Sequence, residues 1–147
     1  MKFKFKLESI LNLRTHKQQA EKQKLAVLLK EKEELDQELK RRLDNIGKIT
    51  SKASKQKHVN QSMEKMVQHF VLIEGKILNQ IREKIMQTKE LVLRQRQQVI
   101  EADQQLQIIQ KLKKKAFVEY LREVERKEQI FQNEIATQIY YKQISNG

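Results

Sequence analysis

Residues 25–46, LAVLLKEKEELDQELKRRLDNI, decide the fold of this chain. Their apolar side chains recur at alternating steps of three and four, and the positions between them carry lysine, arginine, glutamate and aspartate. Apolar residues spaced in this way line one face of an α-helix and form the seam of a coiled coil. Continued in both directions, the same steps define a stripe of fourteen positions, nine of them apolar: Leu7, Leu11, Arg14, Gln18, Glu21, Leu25, Leu28, Lys32, Leu35, Leu39, Arg42, Ile46, Ile49 and Ala53.

A second stripe follows after a break in the pattern. Between residues 45 and 62 a glycine, three serines and several lysines interrupt the apolar spacing, so we expect a bend there, with Asn60 or Ser62 as the N-cap of the next helix. The second stripe begins at Met63 and runs to Ile139. The sequence therefore predicts an all-α fold, an elongated antiparallel two-helix coiled-coil hairpin with a longer second helix, because neither stripe is stable alone in water.

The predicted bounds make the chain one coiled-coil unit over residues 1–147. Helix 1 covers about residues 5–52, the connection about 53–61 and helix 2 about 62–143. A bend near residue 55 places Leu7 opposite residues 103–106 and leaves about residues 110–143 without a partner within the chain. The polar stripe positions Arg14, Gln18 and Glu21 predict a loose stretch of seam unless their side chains find partners.

Composition argues against several classes of function. The 147 residues hold no cysteine, no proline and only three glycines, so neither a thiolate metal site nor a glycine-rich phosphate loop can form. His16, His58 and His69 are too far apart in sequence for a local metal cluster. We expect a chain that is not an enzyme, requires no cofactor or metal, has no transmembrane segment and lies in the cytoplasm.

The formal net charge of +12 falls in three places: the lysines of MKFKFKL at 1–7, the stretch KRRLDNIGKITSKASKQK at 40–57, and KLKKK at 111–115. Such clusters attract nucleic acid, an anionic membrane or an acidic protein surface. The aromatic and amide side chains within these clusters, Phe3, Phe5, Asn45 and Gln56, are fewer than base recognition requires, so we expect protein contacts and no specific nucleic acid. A generic basic coiled coil that binds nucleic acid or an anionic membrane remains the alternative.

The amino-terminal sequence resembles the FliJ family of flagellar type III export proteins. The resemblance lies in FKFKLESILNLR at residues 3–14 and AEKQKLA at residues 20–26. The positions that carry it are Phe3, Phe5, Leu7, Ile10, Leu11, Arg14, Glu21, Leu25 and Ala26.

The resemblance implies a central stalk, similar to that of rotary ATPases, in a ring of the export ATPase FliI, which acts with FliH. It also implies contact with the export gate FlhA and with export chaperones, at the inner face of the cell membrane. The ring contact would use Phe3, Phe5, Leu7, Leu11, Phe117, Leu121 and Val124. The gate contact would lie near the bend, at Leu39, Leu43, Ile46, Lys48, Lys52, Lys55, Phe70 and Ile73. The equivalent stalk of a virulence type III secretion system is an open alternative.

Overall fold

The computed structural model describes residues 2–56 and 61–146. Two helices account for nearly all of them, α1 at Glu8–Lys55 and α2 at Gln61–Asn146, and the described residues contain no strand. The two helices pack against each other, so the predicted all-α hairpin with a longer second helix is confirmed. None of the described helical stretches combines the length and the hydropathy that crossing a bilayer requires.

The contacts divide the chain into two units. Met1–Gln18 with Ala102–Gly147 forms the first, and Gln19–Glu101 forms the second. In the first unit Glu8 pairs with Lys113 and Gln18 with Asp103; in the second Glu21 pairs with Gln95 and Arg42 with Glu74. In each unit the partner number falls along α2 as the residue number rises along α1, which is the antiparallel arrangement. That the whole chain acts as one coiled-coil unit stays a prediction.

The predicted register was wrong by about nine residues. Leu7 does not lie opposite residues 103–106 but lines one groove with Leu112 and Ala116. Most of the error arises from the position of the bend, because α1 continues to Lys55 and α2 begins only at Gln61, so that the midpoint lies at about residue 58 and not near residue 55. The stretch of α2 without a partner in the chain is correspondingly shorter than the predicted 110–143.

The amino-terminal stripe was predicted well. All fourteen of its positions on the first helix and its leading turn are half-buried. The most deeply buried apolar side chains lie on α2: Leu78, Ile81, Ile85 and Val92 in the second unit, and Ala102, Leu106 and Ile109 in the first. None of the described large side chains is completely enclosed, as expected where two helices share a narrow seam.

The polar interruption of the seam is satisfied across the two helices. In the first unit Arg14 Nη1 donates to the carbonyl oxygen of Gln105 at 2.9 Å, and Gln18 Nε2 donates to Asp103 Oδ1 at 2.6 Å. In the second unit the Gln95 amide donates to both the backbone carbonyl and the carboxylate of Glu21. Arg14, Gln18 and Glu21 therefore each have a hydrogen-bond partner on α2.

The break in apolar spacing does not end α1. The helix passes through Gly47, and its hydroxyl residues bond within the helix: Thr50 Oγ1 donates to the carbonyl of Ile46 at 2.8 Å. Lys52 and Lys55 occupy the last turn, where cations offset the negative end of the helix dipole. Ser62 lies inside α2 and is not its N-cap. The alternative cap, Asn60, lies outside the described residues.

Candidate protein-binding surfaces

The first candidate surface lies in the first unit, where the chain begins. Residues 2–7 are not helical, and α1 starts with the Glu8 amide donating to the carbonyl of Phe5 at 3.2 Å. Exposure alternates along this tail: Phe3, Phe5 and Leu7 are half-buried, whereas the lysines between them are exposed. The alternation in the sequence thus corresponds to an irregular tail with one face against α2.

An aromatic cluster holds the tail on α2. The Phe3 ring meets Phe117 edge to face, with centroids 5.2 Å apart and planes at 73°, and lies 5.4 Å from the Tyr120 ring. Edge-to-face pairs at such distances stabilise beyond the area that they bury. Phe117 therefore belongs to a packed cluster and not to an unpartnered overhang as predicted. Sequence reasoning did not include Tyr120 in the ring contact, although Tyr120 stands on the second stripe.

The remaining members of the predicted ring contact surround this cluster. Leu11 lines a groove of about 730 Å³ together with Phe3 and Phe117. Phe117 and Leu121 expose 44% and 45% of their surface, and Val124 is half-buried. We call the seven residues the tail surface: Phe3, Phe5, Leu7, Leu11, Phe117, Leu121 and Val124. All of them lie in the first unit, and the exposed members are accessible to a partner.

The structure brings together two lysine clusters that are more than 100 residues apart in sequence. Lys2, Lys4 and Lys6 line a groove of about 950 Å³ with Lys115, and Glu119 supplies the single carboxylate among the residues around it. Lys113 is not one of the lysines that line this groove, and it forms an ion pair with Glu8 at 3.0 Å. No local pattern in the sequence predicts that these lysines lie together, because their proximity depends on the register of the two helices.

The second candidate surface lies in the second unit, and we call it the bend surface. Leu39, Ile46 and Phe70 are half-buried, whereas Leu43 and Ile73 expose 43% and 44% of their surface. Its lysines, Lys48, Lys52 and Lys55, are all exposed on α1. The predicted gate residues thus provide accessible apolar and cationic groups within one unit.

An ion pair that sequence reasoning missed crosses the two helices beside the bend surface. Arg42 Nη1 lies 3.1 Å from Glu74 Oε2, and Arg42 Nε lies 3.3 Å from Glu38 Oε1. Hydrogen bonds to Glu74 and then to Glu38 raise the pKa of the Arg42 guanidinium above its ordinary value. Arg42 is one of the polar positions of the first stripe. Glu74 is not a position of the second stripe, so the apolar pattern did not predict its ion pair with Arg42.

No constellation typical of metal binding occurs in the described part of the chain. No three histidine or carboxylate side chains there converge in a way that could hold an ion. His16 and His69 are exposed, and His58 lies outside the described residues. The arrangement offers apolar side chains and lysines for binding a macromolecule.

A scan against protein-family models finds no match to this chain, and searches of the curated proteins and of the solved structures find none either. The resemblance to the FliJ family therefore stays a prediction that rests on residues 3–26.

Proposed function

We propose that this chain is a non-catalytic component of flagellar type III protein export. In this proposal it is the central stalk of the export ATPase ring formed by FliI, and it links that ring to the export gate FlhA and to the traffic of chaperones and their substrates. The observation that carries the proposal is the amino-terminal tail. Phe3, one of the residues that resemble the FliJ family, packs against Phe117 and Tyr120, beside exposed apolar side chains.

The proposed mechanism requires no catalytic group from this chain. A stalk raises ATP turnover when it binds some conformations of the ring more tightly than others and thereby shifts their populations. An asymmetric, partly apolar surface can do this, because its contacts change as the ring subunits move. The tail surface has both features: Phe3 is packed on one side of α2, and Phe117 and Leu121 remain open.

The direct test replaces Phe3, Phe5, Phe117 and Leu121 by alanine and measures ATP hydrolysis by purified FliI. We expect loss of stimulation with nearly unchanged helicity by circular dichroism, because the deeply buried side chains of the seam remain in place. The matched control reverses the charge of Lys48, Lys52 and Lys55, which lie in the other unit. This control should stimulate like the parent, and equal stimulation by the alanine variant would contradict the proposal.

The bend surface is the proposed site for the gate. Exposed Leu43 and Ile73 would supply apolar contact, and the three lysines would steer the encounter with an acidic surface. Charge reversal at Lys48, Lys52 and Lys55 should therefore slow association with the cytoplasmic part of FlhA and change dissociation little. Surface plasmon resonance separates the two rates.

The matched control for gate binding reverses three exposed lysines elsewhere in the second unit, Lys22, Lys30 and Lys89. An equal loss of association rate in this control would mean that net charge, and not the bend surface, is responsible. Association unchanged by reversal at the bend would show that those lysines are only solvated. We propose that gate binding places the chain at the inner face of the cell membrane, which fluorescence microscopy of a tagged chain in a gate-deletion strain would test.

A second candidate function is favoured by the lysines that line the 950 Å³ groove. A generic basic coiled coil would use Lys2, Lys4, Lys6 and Lys115 to bind nucleic acid or an anionic membrane. Under the export proposal, binding to duplex DNA or to anionic vesicles should be weak and should disappear between about 50 and 200 mM salt. Submicromolar binding at physiological salt would favour the second candidate.

The virulence-type stalk differs from the flagellar one in its partners and not in its fold. Complementation separates them: the flagellar proposal expects the gene to restore motility to a strain that lacks its flagellar export stalk. Restoration of effector secretion without restoration of motility would assign the chain to a virulence secretion system instead.

A further inference from the structure

The carboxyl-terminal end of α2 is not packed against any other described part of the chain. Every residue from 125 to 146 is exposed, and several large apolar side chains there leave about half of their surface open. They include Phe131 at 62%, Ile135 at 41% and Ile139 at 53%. Most of the stability of helices in proteins comes from packing of an amphipathic face, and the described residues provide no such packing for this stretch.

Three of these side chains define one face. Phe131, Ile135 and Ile139 follow one another at steps of four, so they lie within an 80° sector of the helix, flanked by Glu128 and Lys142. We call these three residues the distal face. They are outside the tail surface, so they are not used by the proposed contact with the ATPase ring.

The charge of this segment differs from that of the chain as a whole. Residues 125–146 carry three basic side chains and three acidic ones, and their net charge is zero, whereas the whole chain carries +12. The basic residues are Arg126, Lys127 and Lys142, and the acidic ones are Glu125, Glu128 and Glu134. Two copies can therefore meet at this segment without adding like charge, whereas pairing through the lysine clusters at 1–7, 40–57 or 111–115 would bring like charges together.

We propose that residues 125–146 pair with the same residues of a second copy of this chain, antiparallel, through the distal face. A contact between two identical segments must be complementary to itself, which a neutral segment of mixed charge satisfies. The antiparallel direction follows from the lysines at 111–115, because a parallel pair would bring two such clusters together at one end. At about 1.5 Å per residue the pairing segment is about 33 Å long, so we expect a weak, concentration-dependent dimer.

Sedimentation velocity of the full chain at concentrations from about 5 to 200 μM tests the pairing. We expect a shift from monomer to dimer over this range. The double variant Ile135→Glu, Ile139→Glu should raise the dissociation constant about a hundredfold or more. Four isoleucine side chains are lost from the dimer interface, and the four carboxylates that replace them lie close to one another. A wild-type chain that remains monomeric at the highest concentration overturns the proposal.

The matched control is Gln129→Glu, Asn133→Glu, which adds the same charge to the opposite face of the same segment. Its dissociation constant should stay within a few fold of the parent, and an equal loss of dimer in this control would overturn the assignment to the distal face. The double isoleucine variant should still stimulate FliI if the stalk proposal is correct. Loss of dimer and loss of stimulation are thus separate outcomes.

A single introduced cysteine tests the direction, since the chain has none of its own. In an antiparallel pair centred near Ile135, the two copies of residue 139 are roughly 12 Å apart along the helices, too far for a disulfide. Ile139→Cys should therefore form no disulfide-linked dimer under mild oxidation at concentrations where the dimer is populated. Efficient cross-linking of this variant to itself would overturn the antiparallel arrangement.

Discussion

Leu106 and Ile108 stand two residues apart on α2 but have different surroundings. Leu106 is 5% exposed in the seam of the first unit, whereas Ile108 is 56% exposed. Truncation of a buried leucine to alanine costs about 2 to 5 kcal/mol, depending on how well the site can collapse. No large side chain in the described seam is completely enclosed, so the low end applies, and we expect Leu106→Ala to lower the free energy of unfolding by about 2 kcal/mol.

The assay is thermal and urea unfolding followed by circular dichroism at 222 nm. A loss of about 2 kcal/mol lowers the melting temperature of a chain of this length by about 4 to 8 °C. Ile108→Ala removes a side chain of the same size from the solvent-facing side and should change the free energy of unfolding by less than about 0.5 kcal/mol. Equal costs for the two variants would refute the assignment of Leu106 to the helix interface.

Three further predictions concern glycine, an ion pair and the polar seam. A side chain at Gly75 would meet no atom within 4 Å and its φ is not positive, so Gly75→Ala should raise the free energy of unfolding by about 1 kcal/mol in urea titrations, and destabilisation would show a constraint that the structure lacks. Glu74→Gln removes the carboxylate that Arg42 meets on the other helix, and its melting temperature, lower than that of the parent, should move toward the parent's in 1 M salt, since a half-buried ion pair is partly screened; a difference that salt does not change would mean that packing is lost instead. Gln18→Leu removes one of the two side-chain amides that donate to Asp103, the other being that of Gln107, and should be less stable than Gln18→Leu with Asp103→Leu in the same unfolding assay, whereas additive effects would show that the two side chains do not interact.

The sequence predicted the fold and the buried face of α1 because helical periodicity is a local property. The steps of three and four from Leu7 to Ala53 mark the half-buried positions without reference to any partner. Even the polar members of that stripe, such as Arg14 and Gln18, lie at the interface, because helix geometry and not polarity decides which face is covered.

Register could not be predicted, because it depends on where α1 ends. The serines, threonine and glycine after residue 45 resemble a loop in composition, yet Thr50 and Ser54 donate to carbonyls of their own helix and α1 continues. Because the observed register differs from the predicted one, Phe117 lies in contact with Phe3 and not in the predicted overhang. It also brought the lysines of the tail beside Lys115, which no spacing in the sequence indicates.

The central claim is that the end of the chain formed by the tail and α2 acts on an ATPase ring, and stimulation of purified FliI tests it most directly. Steady-state ATP hydrolysis would be measured against increasing amounts of the wild-type chain, of Leu121→Asp and of Ile130→Asp. Leu121 and Ile130 are similarly exposed, at 45% and 49%, and both lie near the end of α2, but only Leu121 belongs to the tail surface. We expect stimulation by the wild type and by Ile130→Asp and loss of stimulation by Leu121→Asp. No stimulation by the wild type, or equal stimulation by all three, would contradict it.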